Sequence, residues 1–298
     1  MHNILTAVIL CSTWSFSIST LANRIYKVKQ TLTKFTITLT FIQAPILLLL
    51  TLRTNRALDR LLESRKAWGM LNKATRTFMG LVVGYIMPRN PQAACIIARY
   101  LCISGWALKG MLRNESDEDM IRMMMDSVPE ELNWVMAQNR DVCGSTRPHV
   151  IIYRLRNMIS TFRDTYNNGN SNSGREVGPN IHIPPMILLR MEEILYDMES
   201  TIGICNRIST SPIPPTYTRH TSRVLVMYLS LLPVALVGMG VSTLAVVVTV
   251  ACVSYILIGI DEIGLEIEHP FPLMPLYQLS KGIQKQIERY DFILFDMM

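Results

Sequence analysis

Between Arg223 and Asp261 the chain carries no charged residue for 37 consecutive positions, residues 224–260, and soluble cores have no use for such a stretch. At about 1.5 Å per residue it is too long for one crossing of a bilayer. Gly238-Met239-Gly240 lies near its centre, so the pattern predicts a tight hairpin of two membrane helices, residues 221–237 and 241–263. The rest of the composition agrees. Hydrophobic residues make up 49% of the 298 and charged ones only 17%, and the apolar residues are gathered into blocks rather than spread.

A second block, residues 36–52, runs without a break into the charged stretch 53–69. Apolar residues three and four apart on both sides of Arg53 predict one long helix that leaves lipid and continues into water, with Arg53 marking the surface. Residues 4–21 form a weaker first span, diluted by Ser12, Thr13, Ser15, Ser17 and Ser19, a composition suited to helix contact within a membrane. A cleaved signal peptide is not expected, because no basic region opens it and no small-residue cleavage site closes it. The start is abrupt, and a presequence or an amphipathic helix is expected before the first span. The connector 23–34 and the stretch after Leu52 are both basic, so charge asymmetry does not orient the protein. Four spans place both termini and the soluble part on one side.

Residues 53–220 read as a helical soluble domain. Asp59, Arg60, Glu63 and Arg65 have the spacing of ion pairs along one helix. Pro88 and Pro91 break that helix. Residues 92–111 are apolar, but Arg99 in mid-segment favours a buried core helix over a fifth span. Acids at 115–119 open the next helix at its positive end and lack the spacing of a calcium loop. A helix over 148–165, a loop over 167–174 and a helix over 184–208 follow, the last with Met186, Leu189, Ile194, Met198 and Ile202 on one face. Pro212, Pro214 and Pro215 then force a sharp turn. Residues 264–298 form a C-terminal tail.

No catalytic constellation emerges. The cysteines (11, 95, 102, 143, 205 and 252) and the histidines (2, 149, 182, 220 and 269) are isolated, with no C-x-x-C or H-E-x-x-H spacing. The sequence therefore points to no metal, no cofactor and no enzyme. The net charge of +6 is spread along the chain rather than gathered with aromatics, which argues against nucleic acid as a partner.

Three motifs carry a family resemblance. Arg53-Thr54-Asn55, with Asp59, Arg60, Glu63, Arg65, Trp68 and Gly69, is similar to the central R-T-N-x-x-x-D-R-x-x-E-x-R-x-x-W-G pattern of the bestrophin anion channels. Residues 206–220, containing Pro212, Pro214 and Tyr217-Thr218-Arg219-His220, resemble the N/E-R-I-x-x-T-P-I-P-x-x-Y-T-R-H signature in its plant and algal chloroplast form, with Ser211 in place of Thr. Residues 260–271, with Glu262, Glu266, Glu268, Pro270 and Phe271, are similar to E-I-G-x-E-I-E-D/N-P-F-G.

The resemblance implies an all-α membrane protein with four spans and a helical soluble domain, ringed as a homopentamer, that passes chloride and other small monovalent anions such as bicarbonate or nitrate. It places a hydrophobic pore neck at Ala44, Leu48 and Leu52, with Pro45 as the neck proline. The family has bulky Ile or Phe at these positions, so a wider neck is expected here, with Phe41 one turn outward as a substitute constriction. Taken without the resemblance, the same leucines read as packing residues. Arg53, Arg56 and Arg60, together with Arg219, His220 and Arg223, would attract anions. Pairing of the arginines after Leu52 with the acids at 261–268 is the other use open to them. Animal members clasp Ca²⁺ with an acidic run after the last motif, whereas residues 272–281 here hold no acid, so gating by voltage or another signal is implied instead. The Tyr217–His220 form implies a thylakoid or envelope membrane of a chloroplast, the plasma membrane being the alternative. A non-conducting scaffold or an alternating-access carrier is the rival class, although a carrier should show internal repeats and broken helices, and none is visible.

Overall fold

The structure is a computed structural model and describes residues 2–24, 26–116, 118–138, 147–168 and 183–295. Among these residues it is all-α, without strands: α1 (His2–Arg24), α2 (Tyr26–Leu81), a π-helical turn (Val82–Ile86), α3 (Pro91–Arg113), α4 (Glu118–Met125), α5 (Pro129–Gln138), α6 (Arg147–Asn168), α7 (Pro185–Thr210), α8 (Pro215–Gly238), α9 (Thr243–Glu268), α10 (Pro270–Leu273) and α11 (Leu276–Phe295). Cys143, His182 and most of the loop expected over 167–174 lie outside the described residues.

The chain divides into two compact units. The first comprises Met1–Leu62 and Ser211–Pro270. Here α8 and α9 form the expected hairpin, and the turn between them requires a glycine at its tip: Gly240 has φ +82°, a region where a side chain is strained. α1 packs along α9 and α8. An apolar cluster fills the core, with Ile46 and Leu50 of α2 against Leu225, Leu229 and Leu232 of α8 and Val246 and Val250 of α9. The opposite surfaces are apolar as well. Leu244, Val248 and Ile256 on α9 are exposed, as lipid-facing residues must be.

Four helices among the described residues are long and apolar enough to cross a membrane: Ile4–Leu21, Pro91–Arg113, Pro215–Gly238 and Thr243–Glu268. Three coincide with expected spans. Pro91–Arg113 is instead the helix whose Arg99 marked it for a protein core, and its faces are covered by protein. The apolar part of α2, residues 36–52, is not among the four.

The second unit comprises Glu63–Thr210 and Phe271–Met298. Its centre is α3, whose residues from Tyr100 to Gly110 are buried. The helix begins where the prolines demand. Pro91 occupies the first turn, where no backbone donor is needed, and the Asn90 side chain accepts a hydrogen bond from the Ala93 amide at 3.0 Å. α11 lies against α3 so closely that Ser280 Oγ donates to the Gly105 carbonyl at 3.0 Å, and Ile283 and Ile287 are buried. Of the tail expected over 264–298, residues 264–268 instead continue α9 in the first unit, and α11 joins this core.

Two expectations are corrected. On α7 the buried face is Leu188, Met191, Ile194, Leu195, Met198 and Ile202, whereas Met186 and Leu189 are exposed. Hydrophobicity alone does not tell the two sides of the first turn apart, because apolar residues stand on both. Glu63, expected to pair along its own helix, takes Arg207 of α7 at 2.5 Å.

Candidate functional site

α2 presents two unlike faces within the first unit. Ile46, Leu50, Arg53 and Ala57, spaced three and four apart, are buried against the unit's own helices. On the other face Phe41 (76% exposed), Ala44, Pro45, Leu48 (60%) and Leu52 (45%) are open, and the stripe continues through Asn55, Arg56 and Asp59, all exposed. One line of side chains is therefore apolar for three turns and then polar. Within the first unit Leu48 and Leu52 lie outside the buried core.

The three arginines of the motif have different fates. Arg56 is exposed at the end of the apolar stripe. Arg53, 1% exposed, forms a buried ion pair from its Nη1 to Asp261 of α9, and the other carboxylate oxygen of Asp261 accepts from Ser222 Oγ of α8 at 3.1 Å. Of the two uses the sequence leaves open for Arg53, the structure has the pair. Arg60 donates from Nη1 to the Ser211 carbonyl at 2.6 Å and from Nε to the Glu268 carbonyl at 3.3 Å, so it ties together the start of the proline turn and the end of α9.

The proline turn works as its composition dictates. α7 ends at Thr210 and α8 begins at Pro215, with Pro212 and Pro214 exposed between them. Tyr217 then donates its hydroxyl to the Leu49 carbonyl of α2 at 3.3 Å, beside the apolar stripe. Arg219, His220 and Arg223 follow on the first turns of α8, all exposed, and no acid accompanies them on that helix. On α9, Glu262 is half-buried, Glu266 exposed and Glu268 buried, and Pro270 after it is buried.

In the second unit the remaining motif residues divide between the core and the surface. Trp68 is buried and Arg65 exposed on α2, and Phe271 is buried. Arg113, which no motif singled out, closes the segment after α9. Its guanidinium donates to the Met274 carbonyl at 2.8 Å and reaches those of Phe271 and Pro272 at 3.4 Å. Burial, with Glu63 adding to it, pushes the Cys205 thiol up to about 12, so it is protonated and inert at neutral pH. No three His, Cys, Asp or Glu side chains gather as a metal site among the described residues.

Residues 1–289 match the family described as Bacterial/Fungal Bestrophin protein. A voltage-dependent anion channel-forming protein of Synechocystis is 27% identical over 251 residues, 81% of this chain and 73% of that one. A chloroplastic voltage-dependent chloride channel of Arabidopsis thaliana is 32% identical, over 98 residues and 33% of this chain. Among solved structures, a bacterial bestrophin homolog from Klebsiella pneumoniae carrying one substitution superposes with a TM-score of 0.80 at 22% identity, covering 96% of this chain and 98% of that one.

Proposed function

The chain belongs to the bestrophin family, and from that premise we propose that it forms an anion-selective channel, not an enzyme, conducting chloride and other small monovalent anions such as bicarbonate or nitrate. The observation that carries this reading is the open stripe on α2, apolar at Phe41, Ala44, Pro45, Leu48 and Leu52 and basic immediately after, at Arg56. A short apolar constriction does not bind a permeant anion tightly, and the exposed Arg56, Arg219, His220 and Arg223 raise its local concentration while repelling cations. One stripe cannot surround a pore. A ring of identical protomers, a homopentamer as the family resemblance implies, encloses it with one stripe from each. The names of the Synechocystis and Arabidopsis relatives support gating by voltage.

The membrane helices make it an integral membrane protein. Two locations have support. The Arabidopsis relatives favour a chloroplast membrane, and the bacterial ones, matched over most of the chain, favour a plasma membrane. Imaging the tagged full-length product against chlorophyll fluorescence separates the two. For the activity, purified protein in a planar bilayer under a KCl gradient should reverse near the chloride equilibrium potential, in discrete single-channel steps. Reversal at the potassium potential would sink the proposal, and saturable flux without steps would make the protein a carrier.

A further inference from the structure

We propose that Lys66 and Lys73 extend the anion pathway along α2 and set the current that enters from its charged end, a role that rests on the channel reading. α2 is one helix from Tyr26 to Leu81, and its exposed line does not stop at Asp59. Leu62, Lys66, Met70, Lys73 and Thr77 carry it on at spacings of three and four, all exposed. Lys66 stands 18 positions beyond Leu48, and Lys73 the same beyond Asn55, and five turns of about 3.6 residues return each to the same side of the helix. The opposite side, with Ser64, Trp68, Leu71, Thr75 and Phe78, is buried.

The charge of these lysines is not spent inside the protein. From Ser64 to Asn114 the chain holds no Asp or Glu. Elsewhere in the second unit the exposed Arg122, Arg190 and Arg207 meet Glu118, Glu193 and Glu63. Neither Lys66 nor Lys73 has an ion pair among the described residues. Arg65 and Arg76, also exposed, flank the line and add charge of the same sign. The acids nearest along α2 are Asp59, two turns before Lys66, and Glu63, which Arg207 takes. A lysine ammonium is a hydrated point charge on a flexible stem and lacks the bidentate grip of a guanidinium. It therefore concentrates a passing anion without holding it, as conduction requires.

The test is single-channel recording of the full chain in planar bilayers, wild type beside Lys66→Gln and Lys73→Gln, in dilute and in concentrated KCl. In dilute salt each substitution should lower the current of chloride entering from the Lys73 end about twofold and spare entry from the other end. The loss should close in concentrated salt, because screening shortens from about 10 Å at 0.1 M to about 3 Å at 1 M. Lys66→Cys and Lys73→Cys should show the same loss, recovered when a cationic aminoethyl thiosulfonate restores the charge and deepened by an anionic sulfonatoethyl one, with wild type treated alike as control. Unchanged currents, or losses that neither salt nor the cationic reagent reverses, overturn this role and leave the channel reading standing. A wild-type protein that is silent, or that reverses at the potassium potential, overturns both.

Discussion

Gly105→Ala probes the packing of α3 on α11 at its closest point. The new Cβ would meet the Ser280 Cα at 3.3 Å and the Ile283 Cδ1 at 3.1 Å. The isoleucine tip can rotate away, but the Ser280 backbone cannot, so the helices must separate by a few tenths of an ångström. Overpacking of this kind costs about 1–3 kcal/mol. Separation also stretches the 3.0 Å hydrogen bond from Ser280 to the Gly105 carbonyl, worth about 1 kcal/mol. Helix propensity returns about 1 kcal/mol for the lost glycine, leaving a net destabilisation of about 1–3 kcal/mol. Gly203→Ala on α7 is the control. It is an exposed helical position with nothing within 4 Å of a new Cβ, so only the propensity gain of about 1 kcal/mol operates. Thermal unfolding followed by circular dichroism should lower the midpoint for Gly105→Ala and raise it for Gly203→Ala. Equal shifts of the same sign would refute the claim that α11 is seated on α3.

Asp261→Asn should cost about 3–5 kcal/mol by leaving Arg53 buried without its counter-charge, whereas Arg207→Ala, removing an exposed pair with Glu63, should cost less than about 1 kcal/mol; denaturant titrations compare them. Leu48→Ala and Leu52→Ala should change single-channel conductance or gating and leave the oligomer band on native gels intact, because both side chains are exposed on the open face of α2. Loss of the oligomer with unaltered currents in what remains would make them assembly residues. Glu131 gives a pH signature. Burial pushes its carboxyl up, but hydrogen bonds from Arg154, at 2.5 and 3.0 Å, and from Tyr100, at 2.6 Å, outweigh burial and hold it below the usual carboxylate range. Its stabilisation is therefore complete above the unfolded value near 4.5 and lost as pH falls below that through the depressed folded value, and Glu131→Gln should flatten this part of the acid limb of a stability profile.

What the sequence made legible was mostly local. Prolines at 88, 91, 212, 214 and 215 and glycines at 238 and 240 act through their own backbones, and the helix ends and the hairpin stand where they require. Arg99 likewise separated a core helix from a span of the same length. The partners of charged groups were not legible in this way. Asp261 is 208 positions from Arg53, and Glu63 is 144 from Arg207, separations across which periodicity carries no information. The helix α11 was missed as a core element for a related reason. Its buried Ile283 and Ile287 are few, and the glycine that admits them lies on α3, so neither segment alone announces the contact. Pairing of the arginines after Leu52 with the acids at 261–268 is one of the two uses the sequence leaves open, but nothing near Arg53 in the chain selects Asp261 as the partner or takes the pair into the interior.

The three carbonyls gathered by Arg113 have a consequence for how this protein can be controlled. Oxygens converging after a membrane helix form the kind of cradle that hard cations use. Here the cation is a side chain, covalently present at fixed stoichiometry. A dissolved ion lets a cell alter a structure by altering a concentration, and a guanidinium has no concentration to alter. The segment from Phe271 to Met274 is in that sense held by a charge that stays with the chain, where a bound metal would come and go with its supply.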